Sequence, residues 1–294
     1  MEIMQQPFGS VVTAMVTPFE DDGGLDVAGL ERLASHLIDI GNDALVVNGT
    51  TGEASTTTDQ EKSRAVRAVV SAVGDRAMVI AGVGTNDTAH SVELARQAGA
   101  AGAHGLLAVT PYYNKPPQQG ILQHFRAVAD ATDLPVMLYD IPGRAAAEIA
   151  TPTLIALARH PNIRAVKDAK GDLAASARVL AGSDLAWYSG DDALNLPMLS
   201  LGAAGFVSVV GHFLAPTLVA MREAHLSGDL DTARRLHFAT LPTIDAVFTT
   251  QAAMTVKGAL RRQGLPAGVV RSPLVEATKE QIDAVITALE ASSG

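Results

Sequence analysis

The chain contains no cysteine, a single tryptophan and only 4% aromatic residues. Without cysteine it can form no disulfide framework, no thiolate nucleophile and no cysteine-ligated zinc site, which is typical of a reducing, cytosolic compartment. The formal net charge of -9 leaves no basic stripe to neutralise a phosphate backbone, so nucleic-acid binding is not expected. Its apolar runs all fall well short of the roughly 20 residues of a membrane span. The start has no charged leader followed by an apolar segment. We therefore expect a cytoplasmic protein without membrane or nucleic-acid partners.

Short apolar runs separated by amphipathic, alanine-rich segments dominate the first 210 residues. Eight such runs are candidate strands, at 10–16, 44–47, 78–82, 105–109, 135–139, 163–167, 185–189 and 205–209. Helix signals lie between them, including a capping box that starts at Thr58 and a Thr151-Pro152 helix start. Near-continuous apolar strands joined by helices predict a parallel sheet buried on both faces. We predict an α/β fold, a (β/α)8 TIM barrel, with an open doubly wound sheet as the alternative.

The C-terminal part carries no further strand pattern after Val209. Four helical segments are predicted there, at 216–227, 230–248, 251–263 and 279–291, and Thr278 caps the last of them. Gly228 followed by Asp229 is a stop-and-start signal between two helices. We therefore predict a catalytic barrel over residues 1–228 and a C-terminal helical region over residues 229–294.

Lys167 ends the apolar run 163–167, so it is predicted to pass from a buried strand into a loop. The chain has six lysines, and the other five lie among polar, turn-forming or helical-surface residues: Lys62, Lys115, Lys170, Lys257 and Lys279. A free lysine with a pKa of about 10.4 is uncharged only about once in a few thousand molecules at neutral pH. Apolar surroundings lower that pKa and make the amine a nucleophile. Lys167 is therefore a candidate Schiff-base lysine, although a lysine at a strand end also extends its ammonium into solvent in many proteins.

Polar residues that follow the other strands support a site at the carboxyl end of the barrel. After the second strand, Thr50 and Thr51 offer hydroxyls to a carboxylate on a glycine-containing loop. The fourth strand leads into Tyr112 and Tyr113 on a proline-stiffened loop. The fifth ends at Tyr139, and Arg144 follows with a guanidinium that can bind a carboxylate at two points. Taken one at a time, each of these has an ordinary structural explanation.

The seventh strand is followed by two neighbouring carboxylates, Asp191 and Asp192. They occupy the region that phosphate-binding barrels make favourable to anions, which disfavours a phosphorylated substrate. A divalent metal at this pair is conceivable, but no histidine cluster with ligand spacing accompanies it, and we predict no metal site. An amine, hydroxyls, phenols and an arginine fit carbanion chemistry on a small 2-oxo acid such as pyruvate. That chemistry uses the lysine imine as its electron sink, so no cofactor is expected.

Five motifs in this order resemble the dihydrodipicolinate synthase family of pyruvate-dependent class I aldolases. They are the segments 49–53, 112–116, 139–144, 166–169 and 189–192, and the resemblance runs from about Ser10 to the C-terminus. It implies condensation of pyruvate with L-aspartate 4-semialdehyde to give 4-hydroxy-tetrahydrodipicolinate, on the route to diaminopimelate and lysine.

The resemblance also assigns roles to individual residues. Lys167 would form the Schiff base, and Tyr139, Thr50 and Tyr113 would relay protons. Substrate would be bound by a further set: Thr51, the backbone of Val207, Gly190 and Arg144. The tyrosine matching Tyr113 reaches into a neighbouring subunit's site in this family, which implies an active dimer and, most simply, a homotetramer built as a dimer of dimers.

Related families leave two alternatives open. Lyases that cleave N-acetylneuraminate usually carry a serine at the position of Thr50 and lack the pattern around Arg144, which favours the synthase. Another pyruvate-dependent class I aldolase, of the sugar-acid or N-acetylneuraminate lyase type, is the nearer alternative. A non-catalytic pyruvate sensor on the same barrel is the other, although a binder would not need a proton relay.

Regulation by lysine is the point at which the sequence departs from the feedback-inhibited members. Their lysine-binding positions match Ala54, Ser55, Asp59, Lys62 and His90 here, while Asn86 and Tyr112 are kept. Loss of a glutamate and gain of a cation at Lys62 should weaken binding of a dibasic ligand. We predict weak or absent inhibition by lysine.

Overall fold

The computed structural model describes residues 6–292 as eight parallel strands in a closed barrel, surrounded by helices. The strands follow one another around the barrel in chain order: β1 (Val11–Ala14), β2 (Ala44–Val47), β3 (Met78–Gly82), β4 (Gly105–Val109), β5 (Val136–Asp140), β6 (Ile163–Asp168), β7 (Ala186–Ser189) and β8 (Gly205–Ser208). Because β1 also pairs with β8, the sheet has no free edge. The predicted barrel is confirmed, and the open doubly wound alternative is wrong.

Twelve α-helices occur in the part of the chain that the structure describes. They are α1 (Val27–Asp39), α2 (Asp59–Val73), α3 (Thr88–Ala100), α4 (Gln118–Ala129), α5 (Pro142–Ala145), α6 (Thr151–Leu157), α7 (Leu173–Gly182), α8 (Asn195–Ser200), α9 (Gly211–Ser227), α10 (Leu230–Val247), α11 (Ala252–Arg262) and α12 (Lys279–Ser292). None of the described helices is long and apolar enough to cross a membrane.

Local signals explain most helix starts. Thr58 and Glu61 form the predicted capping box at α2, and Thr278 and Gln281 form another before α12. At α6 the prediction is wrong by one residue, because the helix already includes Thr151 and has no side-chain cap. Helix α9 begins five residues before the predicted start at 216 and is kinked where Leu214 leaves helical geometry.

Two apolar cores result from alternation along the strands. Inward-facing side chains such as Val12, Val46 and Met137 fill the barrel, while outward-facing neighbours such as Leu45 and Leu138 pack against the helices. The N-terminal end of the barrel interior is occupied by Phe8, whose ring lies 6.4 Å from that of Tyr188 in an edge arrangement. The carboxyl end of the barrel is lined by polar side chains.

The C-terminal helices pack beside the barrel. Helix α9 ends at Gly228, which has a φ of 85°, and Asp229 caps α10. Helix α10 packs along α9, and α12 packs on both α10 and α11. The predicted helical C-terminal region is confirmed, while its division from the barrel at residue 228 stays a prediction.

Candidate active site

Lys167 and Tyr139 lie side by side at the carboxyl end of the barrel. They are register partners on β6 and β5, and both point into the barrel because each follows an inward-facing residue by two positions. The ammonium nitrogen of Lys167 lies 4.2 Å from the centroid of the Tyr139 ring. The strand-end position predicted for Lys167 therefore places its amine against a phenol.

Lys167 is only 4% exposed, so the solvent-extended alternative is wrong. Burial lowers the pKa of its amine from 10.5 to about 8, the nearby Asp192 carboxylate acts against this, and Arg144 adds to it. With such a pKa, about one molecule in ten carries a neutral amine at pH 7, compared with about one in three thousand for an ordinary lysine. The amine is thus available as a nucleophile near neutral pH.

Tyr139 has the opposite shift. Burial raises its pKa to about 12, while Arg144 and a hydrogen bond with the Thr50 side chain act in the lowering direction. Its hydroxyl therefore keeps its proton at neutral pH and can donate it to a reacting oxygen or nitrogen. Thr50 contacts this phenol, so the structure brings together three of the four predicted catalytic residues, Lys167, Tyr139 and Thr50.

A cavity of about 450 Å³ opens beside these residues at the carboxyl end of the barrel. Thr50, Tyr139 and Arg144 line this cavity. Lys167 does not line the cavity itself, but its amine contacts Tyr139, which does. Residues with positive φ gather in the loops around this end: Asn48, Glu53, Tyr113, Lys115 and Ala146 are all such non-glycine residues. Backbone strain of this kind is often found where loops are shaped for binding.

Arg144 lies on α5, a single turn that starts at Pro142 and ends at the left-handed Ala146. Its guanidinium is exposed and acts on the pKa of both Lys167 and Tyr139. An exposed guanidinium at the rim of a cavity can bind the carboxylate of an incoming ligand at two points.

The remaining predicted residues occupy different surroundings. Gly190 lies against Lys167, since a Cβ there would be 2.8 Å from the lysine Cγ. Thr51 is buried beside Thr50, and Val207 points into the barrel interior. Tyr113 is 86% exposed and lies apart from the other proton-handling side chains within one chain.

The acidic pair after β7 has a structural explanation. Asp192 is buried, and its carboxylate accepts hydrogen bonds from Ser208, Asn195 and the backbone N–H groups of Val209 and Val210. Asp191 accepts from the backbone of the short turn that follows it. Among residues 6–292, no group of three or more histidine, aspartate or glutamate side chains is placed to hold a metal ion.

Lys257 corrects the sequence interpretation, because it is fully buried rather than on a helical surface. Its amine lies 2.5 Å from Oε1 of Glu53 and donates to the carbonyl of Val269 at 2.7 Å. Burial lowers its pKa to about 8, with Glu53 acting in the opposite direction. The apolar pattern of α11 around Lys257 was the available signal, but it does not reveal a partner two hundred residues away.

Comparison with known proteins agrees with this geometry. Residues 7–292 match the model of the dihydrodipicolinate synthetase family. A relative from Streptomyces coelicolor, named 4-hydroxy-tetrahydrodipicolinate synthase 2, is 62% identical over 95% of this chain and 93% of its own length. A 4-hydroxy-tetrahydrodipicolinate synthase from Acidothermus cellulolyticus is 60% identical over 94% of this chain and 90% of its own.

Solved structures agree as well. A DHDPS from Cyanidioschyzon merolae, crystallised with lysine bound, superposes with a TM-score of 0.96 at 44% identity and covers 98% of this chain and 99% of that one. A dihydrodipicolinate synthase from Bacillus anthracis gives a TM-score of 0.94 at 42% identity, with 96% and 98% covered. The predicted resemblance is confirmed, and the chain belongs to the dihydrodipicolinate synthetase family.

Proposed function

We propose that this protein condenses pyruvate with L-aspartate 4-semialdehyde to give 4-hydroxy-tetrahydrodipicolinate, in the biosynthesis of diaminopimelate and lysine. The observation that carries the proposal is the buried Lys167 amine, with a pKa of about 8, held against Tyr139 beside a cavity. The names of the relatives from Streptomyces coelicolor and Acidothermus cellulolyticus support the choice of substrates.

The first step joins pyruvate to Lys167. The neutral amine attacks the ketone carbon, a C–N bond forms, and the former ketone oxygen leaves as water after it gains two protons. Tyr139 would supply and recover protons here, since its ring lies against the Lys167 amine and its pKa of about 12 keeps its hydroxyl protonated at neutral pH. Thr50 contacts that hydroxyl and would pass protons onward.

The resulting iminium draws electrons from the pyruvate methyl group. Loss of a methyl proton gives an enamine, whose carbon attacks the aldehyde carbon of the second substrate. The aldehyde oxygen takes up a proton as this C–C bond forms. Cyclisation then occurs when the amino group of the semialdehyde attacks the imine carbon and releases Lys167.

Substrate binding is assigned to the residues around this pair. Thr51 and the backbone of Val207 would contact pyruvate, with Gly190 leaving room beside Lys167. Arg144 would bind the carboxylate of the semialdehyde, since its guanidinium stands at the cavity rim.

An assembly of subunits completes the proposal. Tyr113 exposes 86% of its surface and has a φ of 72°. Such exposure of a large ring on a constrained loop fits insertion into the site of a second copy of the chain. We assign Tyr113 to the proton relay of a neighbouring subunit, in a homotetramer arranged as a dimer of dimers and located in the cytosol.

Lysine feedback is expected to be weak or absent. The cavity extends to Ala54, Asp59, Lys62 and His90, the positions that match the regulatory site of inhibited members. His90 pairs with Asp59 at 3.0 Å, so this acidic group already has a partner. Lys62 donates to the carbonyl of Thr57 at 2.5 Å and places an amine where a dibasic ligand would bring another.

The proposal is tested by borohydride reduction in the presence of pyruvate, followed by intact mass measurement and peptide mapping. We expect one pyruvate-derived adduct per chain, on Lys167, and none in Lys167→Ala, whose turnover should fall by several orders of magnitude. Lys257 is the internal control, because it is equally buried but its amine is already held by the Glu53 carboxylate and the carbonyl of Val269. A folded protein without an adduct, or full activity in Lys167→Ala, would refute the mechanism.

The second substrate needs its own measurement. Initial rates with pyruvate and either aspartate 4-semialdehyde or a panel of sugar-derived aldehydes give kcat/KM for each acceptor. We expect the semialdehyde to exceed the others by at least about 100-fold. Preference for a sugar-derived aldehyde would replace the proposed reaction with that of another pyruvate-dependent aldolase.

A further inference from the structure

An ionic cluster joins the loop after β2 to the C-terminal part of the chain. We call it the Glu53 cluster, and its members are Glu53, Glu61, Lys257, Arg271 and the Phe19 ring. Glu53 and Lys257 form its core: both side chains are at most 1% exposed, and Oε1 and Nζ are 2.5 Å apart. Two buried charges with no access to water must be satisfied by each other and by fixed neighbours.

Arg271 supplies the second half of the cluster. Its backbone N–H donates to Oε2 of Glu53 at 2.9 Å, and its guanidinium binds both carboxylate oxygens of Glu61, at 2.5 and 2.9 Å. It also donates to the carbonyl of Thr56 at 2.8 Å. The Phe19 ring has the Arg271 guanidinium carbon 4.0 Å from its centroid and the Lys257 amine at 4.3 Å. Both oxygens of Glu53 are thus held by groups from the C-terminal part of the chain.

Glu53 sits in the turn that presents the two threonines. It has a φ of 55°, a left-handed conformation that costs a non-glycine residue about 1 kcal/mol or more. Its backbone N–H donates to the carbonyl of Thr50 at 3.2 Å, so the position of Glu53 fixes the turn around Thr50 and Thr51. The other side of that turn is held by Thr17, whose hydroxyl donates to the carbonyl of Gly52 at 2.7 Å.

The cluster is poorly explained as a device for stability alone. Buried ion pairs are often no more stabilising than apolar residues of the same volume, because removing both charges from water offsets their attraction. What an ion-paired carboxylate does provide is a defined position for the backbone that carries it. That backbone here leads directly into the residues assigned to pyruvate and to the proton relay.

From these contacts we infer that Glu53, Lys257 and Arg271 are positioning residues for the reaction. They hold the turn of Thr50 and Thr51 in register with Tyr139, so α11 and the segment between α11 and α12 set the geometry of the pyruvate half of the site. The inference rests on the proposed function. The inference also predicts different effects on the two substrates, because Arg144, assigned to the semialdehyde, lies on α5, which follows β5 and is separate from this turn.

The test compares Lys257→Met, Glu53→Gln and the double variant with the wild type in steady-state kinetics. We expect kcat/KM for pyruvate to fall by about 10 to 100-fold in each single variant, while KM for the semialdehyde changes by less than about twofold. The double variant leaves no buried charge unpaired, so it should regain thermal stability without regaining kcat/KM for pyruvate. Rates are expressed per folded protein, from circular dichroism on the same samples.

A matched control lies in the same C-terminal helices. Arg262 and Asp283 form a half-exposed ion pair at 2.9 Å that is remote from the threonine turn, so Asp283→Asn should leave both KM values unchanged. Wild-type kcat/KM for pyruvate in both single variants would overturn the inference, as would its full recovery in the double variant. The borohydride adduct on wild-type Lys167 distinguishes the two proposals. If the adduct is absent, the proposed function is refuted. If it is present but the variants keep wild-type kcat/KM for pyruvate, only the positioning role is refuted.

Discussion

Lys167 should make the native state less stable than a chain that lacks its charge. Its pKa falls from 10.5 to about 8 through burial, and this value already includes the attraction of Asp192. A difference of about 2.5 in pKa corresponds to about 3 kcal/mol, since one pKa unit is worth about 1.4 kcal/mol. Methionine has a similar length without a charge, and imperfect packing should reduce the gain. We expect Lys167→Met to raise the free energy of unfolding at pH 7 by about 1–3 kcal/mol.

The lowered pKa of Lys167 also determines how the stability difference between the two proteins changes with pH. Between pH 8 and 10.5 the unfolded chain keeps the Lys167 proton while the native protein has lost it, so raising the pH favours the native state. Lys167→Met lacks this contribution. Its stability advantage over the wild type should therefore be full below about pH 8 and should disappear as the pH approaches 10.5.

Urea unfolding at fixed protein concentration measures both quantities, since subunit assembly would otherwise shift the midpoint. Lys279→Met is the matched control, because Lys279 is 78% exposed and its pairing with Asp283 should contribute little. A Lys167→Met protein that is less stable than the wild type, or an advantage that does not change with pH, would refute the assignment of Lys167 as a strained, destabilising cation.

Three further predictions concern the site. Tyr139→Phe removes the proton-carrying hydroxyl, so quenched-flow trapping should show imine formation slowed by about 100 to 10,000-fold but still present; an unchanged rate would remove Tyr139 from the relay. Gly190→Ala places a Cβ 2.8 Å from Cγ of Lys167 and 3.1 Å from the carbonyl of Asp168. This crowding should lower kcat at least about tenfold and the free energy of unfolding by about 1–3 kcal/mol. Normal turnover would show instead that the Lys167 amine has room to shift. Lysine titrated into initial-rate assays should leave activity intact through the micromolar range because of the cation at Lys62, and half-inhibition well below millimolar would contradict this.

The fold was predictable because each barrel strand is a local feature. Runs such as 44–47 and 105–109 are apolar on both faces and are bounded by turn residues, so the strand bounds follow from the nearest neighbours in sequence. The closed barrel was inferred from the number of such units, because eight strand–helix units most simply form a (β/α)8 barrel. The early start of α9 was missed because Pro216 was taken as a helix start, whereas the chain accommodates it through a kink at Leu214.

The part of the candidate site that lies at the strand ends was predictable from the sequence. Lys167 and Tyr139 come together because neighbouring parallel strands end at the same edge, which places side chains of similar register in contact. The Glu53 cluster was not predictable in this way. Glu53 meets Lys257 through the packing of α11 against the barrel top, and no periodic pattern connects positions so far apart in sequence.

Lys167 and Lys257 show why burial alone does not identify a reactive amine. Burial lowers the pKa of both to about 8. Lys257 meets a carboxylate at 2.5 Å, a carbonyl at 2.7 Å and an aromatic ring at 4.3 Å, so its amine is held by a counter-charge and a fixed acceptor. Lys167 has instead the phenol of Tyr139, which borders the cavity. The same desolvation therefore leaves Lys257 as a cation paired with Glu53, whereas it fits the proposed role of Lys167 as a nucleophile beside the phenol of Tyr139.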